Sequence, residues 1–92
     1  MPRGAPRLRT ESGHKNQIGE RVKERRQELE LTQDAVNARL EDITEGAWNP
    51  TLQEILKIEN GRRLVTDLEI IALAKALECD PHWLFLGSSR EE

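Results

Sequence analysis

The sequence predicts an all-α domain, and three observations carry that prediction. Apolar residues recur at helical spacing in several segments, and no alternating apolar-polar stretch is long enough for a convincing strand. Thr32, Thr51, Thr66 and Asp80 each stand directly before such a segment, as N-caps do, and Thr51 and Thr66 are followed three residues later by Glu54 and Glu69, completing capping boxes. About a third of the residues are charged while only Trp48, Trp83 and Phe85 are aromatic, which suits the surface of helices better than a sheet. Ninety-two residues accommodate one domain with a single core.

The elements follow in chain order. Residues 1–15 carry Arg3, Arg7, Arg9 and Lys15 among Pro, Gly and Ser with almost nothing to bury, which predicts a disordered basic arm able to add phosphate attraction. Asn16 is an N-cap candidate for helix one at 17–29, whose apolar residues are Ile18, Val22 and Leu29 and whose other face is charged. Thr32 caps helix two, Gln33 to about Leu40, and Gln33 in the first turn stands beside free backbone N–H groups, a position suited to a phosphate. Residues 41–50 form an irregular connection marked by Gly46 and Asn49-Pro50, with room for one extra helical turn after Leu40, and Ile43 and Trp48 are expected as its anchors on the core. Helix three runs from its cap at Thr51 to a left-handed stop at Asn60-Gly61. Helix four, opened by Thr66 and almost apolar all round, is expected at the centre of the core. Asp80-Pro81 opens a short helix five that ends at Gly87, and 88–92 is a polar tail.

Helix three has two distinct sides. At about 100° per residue, Ile55 and Ile58 share one face, while Gln53, Leu56, Lys57 and Asn60 point the opposite way. An amide, an aliphatic and a cation on one presented face are the side-chain types that read base edges, thymine methyls and phosphates from a major groove. The net charge of −3 argues against a polyanionic partner only until its distribution is seen. Residues 1–26 hold eight bases against three acids, and residues 27–60 hold two against eight.

The strings LTQDAVNARL, ILKIENGRRLVTDLEIIALAKAL and DPHWLF resemble the helix-turn-helix family of phage Cro and repressor proteins and their bacterial relatives, often called the xenobiotic-response-element type, over Ile18 to Gly87. The long connection before helix three is similar to that of a subgroup with a longer turn. The resemblance implies a five-helix, lambda-repressor-like helix-turn-helix domain over residues 16–87 in which helix three is the recognition helix. It implies Gln53 and Lys57 toward bases, Gln33 and Asn60 toward phosphates, further backbone contacts from Arg62 and Arg63, and a structural ion pair between Arg26 and Glu59. The interface so expected comprises Thr32, Gln33, Thr51, Leu52, Gln53, Leu56, Lys57, Asn60, Arg62 and Arg63. Asn37 stands where the family usually has a small Ala, which implies a looser or hydrated crossing there.

The expected function is a sequence-specific, double-stranded-DNA-binding transcriptional regulator, acting as a homodimeric repressor on a pseudo-palindromic operator. Trp83, Phe85 and Leu86 on helix five are more apolar surface than a short terminal helix can bury, so they are expected at the dimer interface. The alternative is a module that binds a protein, such as a toxin or an effector, through the exposed pair Leu52 and Leu56. No catalytic motif is present, and Cys79, His14 and His82 show no metal-ligand spacing, so neither an enzyme nor a metal or other cofactor is expected. No signal peptide or membrane-spanning run is recognisable, which together with the single cysteine predicts a soluble cytoplasmic protein.

Overall fold

Four of the five helices open where a side-chain oxygen takes an orphan N–H of the first turn. The computed structural model describes residues 8–87, and these form α1 (Gly19–Glu28), α2 (Gln33–Ile43), α3 (Leu52–Glu59), α4 (Asp67–Ala76) and α5 (Pro81–Leu86), with no strand among them. Thr32 Oγ1 accepts from the Ala35 N–H at 3.0 Å. Thr51 with Glu54 and Thr66 with Glu69 close reciprocal capping boxes, and Asp80 accepts from the His82 N–H ahead of the Pro81 turn. Each cap is worth about 1 kcal/mol.

Helix α1 starts differently. Asn16 Oδ1 accepts from both Ile18 N–H and Gly19 N–H, at 3.1 and 2.8 Å, so the regular helix begins at Gly19 rather than at residue 17. Helix α2 continues past Leu40 to Ile43, because nothing in Glu41-Asp42-Ile43 breaks it. The positive φ of Glu45 and Gly46 then reverses the chain, and Thr44 braces the turn by donating to the Leu40 carbonyl and accepting from the Trp48 N–H. Trp48 packs against the core as expected, but Ile43 does not. It lies on the outer side of the added turn, and the buried anchor is Pro50 instead.

Ile18 and Val22, Val36 and Leu40, Ile55 and Ile58, Leu73 and Leu77, and Leu84 form one apolar core. Helix α3 packs on α1 and α2, while α4 packs on α2 and α5. Each fully buried aliphatic of this kind stabilises the fold by about 1.5–3 kcal/mol. Among the described residues no helix is long and apolar enough to cross a membrane.

Three expectations are corrected here. Helix α4 is not buried all round: Ile70, Leu73 and Ala74 face the core, but Leu68 and Ile71 are 74% and 45% exposed, and Leu64 just before the helix is 51% exposed. Its partners cover only one side. Trp83 is 7% exposed and belongs to the core with Leu84, so of the expected dimer patch only Phe85 and Leu86 stand open. One of two neighbouring aromatics had to fill the end of the core, and the register of α5 chose Trp83. Residues 8–15 also depart from a disordered arm. Thr10 to His14 closes a turn through Thr10 N–H to His14 carbonyl and Gly13 N–H to Thr10 carbonyl bonds, and Lys15 N–H donates to the Gly61 carbonyl at 2.7 Å. The remainder of the expected arm, 1–7, and the tail, 88–92, lie outside the described residues.

Candidate nucleic-acid interface

The presented face of α3 rests on a buried carboxylate. Glu59, at its last turn, is only 4% exposed and accepts from three directions. Arg26 of α1 donates through Nε to Oε2 at 2.7 Å and through Nη2 to Oε1 at 3.2 Å. Gln33, at the start of α2, donates through Nε2 to Oε1 at 3.1 Å. Arg26 also donates to the Leu31 carbonyl, holding the link between α1 and α2. One carboxylate thus ties three helices, and with its hydrogen bonds filled its burial costs far less than that of a lone charge.

The end of α3 is fixed again from the N-terminal side. Asn16 Nδ2 donates to the carbonyls of Ile58 and Arg63, at 3.1 and 2.9 Å, while its Oδ1 caps α1. Gly19 packs so tightly on the α3 terminus that a Cβ there would collide with the backbone carbonyls of Ile58 and Glu59. Gly61 takes φ +75°, the left-handed stop, and the His14 ring occupies the space a side chain would need.

On this mount α3 exposes Leu52, Gln53, Leu56, Lys57 and Asn60, while Ile55 and Ile58 are fully buried. Among the described residues the side chains of Gln53, Lys57 and Asn60 make no hydrogen bond or ion pair, so their donors and acceptors are open to a ligand. Thr32 and Thr51 are exposed at the starts of α2 and α3, each accepting from its own first turn with the hydroxyl proton still to give. Gln33 is half-buried, with one amide N–H committed to Glu59.

The two arginines after α3 differ. Arg62 is exposed and unpaired among the described residues. Arg63 is bound into the scaffold: its Nη1 and Nη2 donate to Glu69 Oε1 and Oε2 at 2.9 and 3.1 Å, Nη1 also donates to the Leu64 carbonyl, and the guanidinium lies 5.9 Å from the Trp48 ring centroid. The paired hydrogen bonds hold the Glu69 carboxyl below its ordinary value of 4.5 and raise the Arg63 guanidinium. The sequence signal for this was available: Arg63 precedes the capping-box Glu69 by six residues, across the turn that Thr66 closes. Asn37, at the Ala position of the resemblance, has its Oδ1 buried with no partner.

A short capped helix, a connection, and a second capped helix locked end-on to the first by a buried carboxylate define a helix-turn-helix domain. Two solved structures are similar over most of their own length. The P22 c2 repressor protein, solved in complex with a synthetic operator, is 26% identical with a TM-score of 0.64, over 79% of this chain and 98% of that one. The restriction-modification controller protein C.AhdI from Aeromonas hydrophila is 28% identical with a TM-score of 0.58, over 75% of this chain and 92% of that one. No protein-family model and no curated protein matches the sequence. In fold, and over most of its length, the chain is similar to these two proteins, in keeping with the resemblance to Cro and repressor helix-turn-helix proteins that its sequence carries.

Proposed function

We propose that this protein is a sequence-specific regulator of transcription that binds double-stranded DNA as a homodimer, with α3 lying in the major groove. The observation that carries the reading is the unencumbered row Gln53, Lys57 and Asn60 on a helix whose back and end are fixed by Ile55, Ile58 and Glu59. Gln53 and Lys57 read base edges, and Leu56 beside them meets thymine methyls. Thr32, Thr51, Gln33, Asn60 and Arg62 border the groove and set the register on the phosphates, and Leu52 beside them adds apolar contact. Arg63 takes a scaffold role, positioning the turn from which Arg62 projects. The operator complex of the P22 c2 repressor supports the choice of ligand. One recognition helix reads too few base pairs to select a site in a genome, so two copies, with recognition helices about 34 Å apart, act on a pseudo-palindrome.

Titration of the full chain against a selected duplex and a random one, over a range of salt, tests this. Binding to both should weaken steeply as salt rises. Lys57→Ala should weaken binding to the selected site more than to the random duplex, the difference being about 1–3 kcal/mol. Equal losses on both would refute groove readout by α3. Absence of duplex binding at low salt would refute DNA binding itself and favour a protein partner on Leu52 and Leu56, which are both exposed and one turn apart.

A further inference from the structure

The outer face of α4 is an unpartnered apolar stripe with a charge at each end. Leu68 and Ile71 are exposed on the side of α4 away from the core, and Leu64, in the turn before its Thr66 cap, is exposed as well. Asp67 and Lys75 lie on the same face, one helical turn before and one after Ile71, both exposed and neither in an ion pair among the described residues. The order along the helix is therefore acid, apolar, base, with Ile71 at the midpoint. That pattern is complementary to itself. When two copies of α4 meet antiparallel about a two-fold axis through Ile71, Asp67 falls opposite Lys75 of the partner subunit, and Lys75 falls opposite Asp67 of the partner subunit. The offset of four residues, about 6 Å from the axis on each side, is the same for both. A parallel arrangement would set like charges together.

We propose that this face of α4 is a two-fold interface between two copies of the chain, with Ile71 on the axis, Leu64 and Leu68 packed around it, and two reciprocal Asp67–Lys75 ion pairs at its rim. The inference rests on the dimeric reading above and supplies the surface that reading needs. The patch expected on α5 keeps only Phe85 and Leu86, because its largest member, Trp83, lies in the core. An isologous contact demands one self-complementary patch, and the α4 stripe has both the apolar centre and the opposed charges.

Sedimentation equilibrium of the full chain, with and without duplex DNA, reads the outcome. Ile71→Asp should leave a helical monomer by circular dichroism. Asp67→Lys and Lys75→Asp should each weaken the dimer about tenfold or more, because each places like charges together at two symmetric contacts. The double reversal, Asp67→Lys with Lys75→Asp, should restore the dimer to within about threefold of the parent, since the opposed pairs are re-formed. That rescue cannot come from a more stable fold, because the double variant opposes the dipole of α4 at both ends. A dimer indifferent to all three single changes but lost on Leu86→Asp would overturn this interface while leaving a dimeric regulator intact. A parent protein that stays monomeric with and without DNA would overturn the dimeric reading as well.

Discussion

Glu59→Ala should be among the most damaging single changes in the domain, although Glu59 belongs to a surface-rich helix. The substitution removes the acceptor of two Arg26 hydrogen bonds and one from Gln33. Arg26, whose side chain is only 13% exposed, is left with a charge that water reaches poorly. Breaking a buried pair in this way typically costs about 3–5 kcal/mol. Because Arg26 keeps its bond to the Leu31 carbonyl, the lower end applies, about 3 kcal/mol. In a domain of this size each kcal/mol moves the melting temperature by about 4–8 °C, so a drop of about 12–24 °C is expected. Urea denaturation of Glu59→Ala, Arg26→Ala and the double variant gives the coupling, expected at about 2 kcal/mol. Single losses below about 1 kcal/mol that simply add would refute the claim that this carboxylate holds the three helices together.

Other changes test the mount and the scaffold. Gly19→Ala should destabilise the protein by circular dichroism melting, although Ala is the better helix former by about 1 kcal/mol, because its methyl meets the Ile58 carbonyl; a gain in stability would deny the close approach of α1 and α3. Glu69→Gln keeps a capping-box residue but loses the charge. Glu69 has its pKa lowered by Arg63, so its contribution is present above 4.5 and disappears as pH falls through the lower folded-state value. The stability gap between parent and Glu69→Gln should therefore be full at neutral pH and close under acid; a gap that persists below that window would rule out the pairing. Asn37→Ala should be neutral or stabilising by up to about 1 kcal/mol, since it removes a buried acceptor without a partner and improves helix propensity; a loss would mean that the amide has a structural role.

What the sequence made legible was local, and what it hid was relational. Capping at Thr32, Thr51, Thr66 and Asp80 depends on residues at most three apart, and all four helices open there. The split of α3 into a buried and a presented face followed from its period alone. The extra turn of α2 after Leu40 was open in the sequence, but its stop is a pair of positive-φ residues, Glu45 and Gly46, and the acids before them do not mark it. Which aromatic of α5 would be buried, and which side of an apolar α4 would be left open, depend on how many helices surround each, and no periodicity states that. The pairing of Arg63 with Glu69 beside the Trp48 ring was likewise relational, since it joins three separate segments in three dimensions. The turn at residues 10–15 was hidden for the same reason, since its acceptor, the Gly61 carbonyl, is far along the chain.

The side chains that face outward from α3 are uncoupled from the bonds that hold α3 in place. The helix is eight residues long, too short to persist alone, and it is kept by Asn16, Gly19, Arg26 and Gln33 acting on its far end. Gln53, Leu56 and Lys57 contribute to none of those contacts. Three positions can therefore be rewritten with little penalty to folding, and under the proposed function drift at these codons meets selection for the DNA target alone. A domain wired in this way can change its exposed face while its architecture stays the same, and it offers a ready chassis for grafting the outward side chains of another helix.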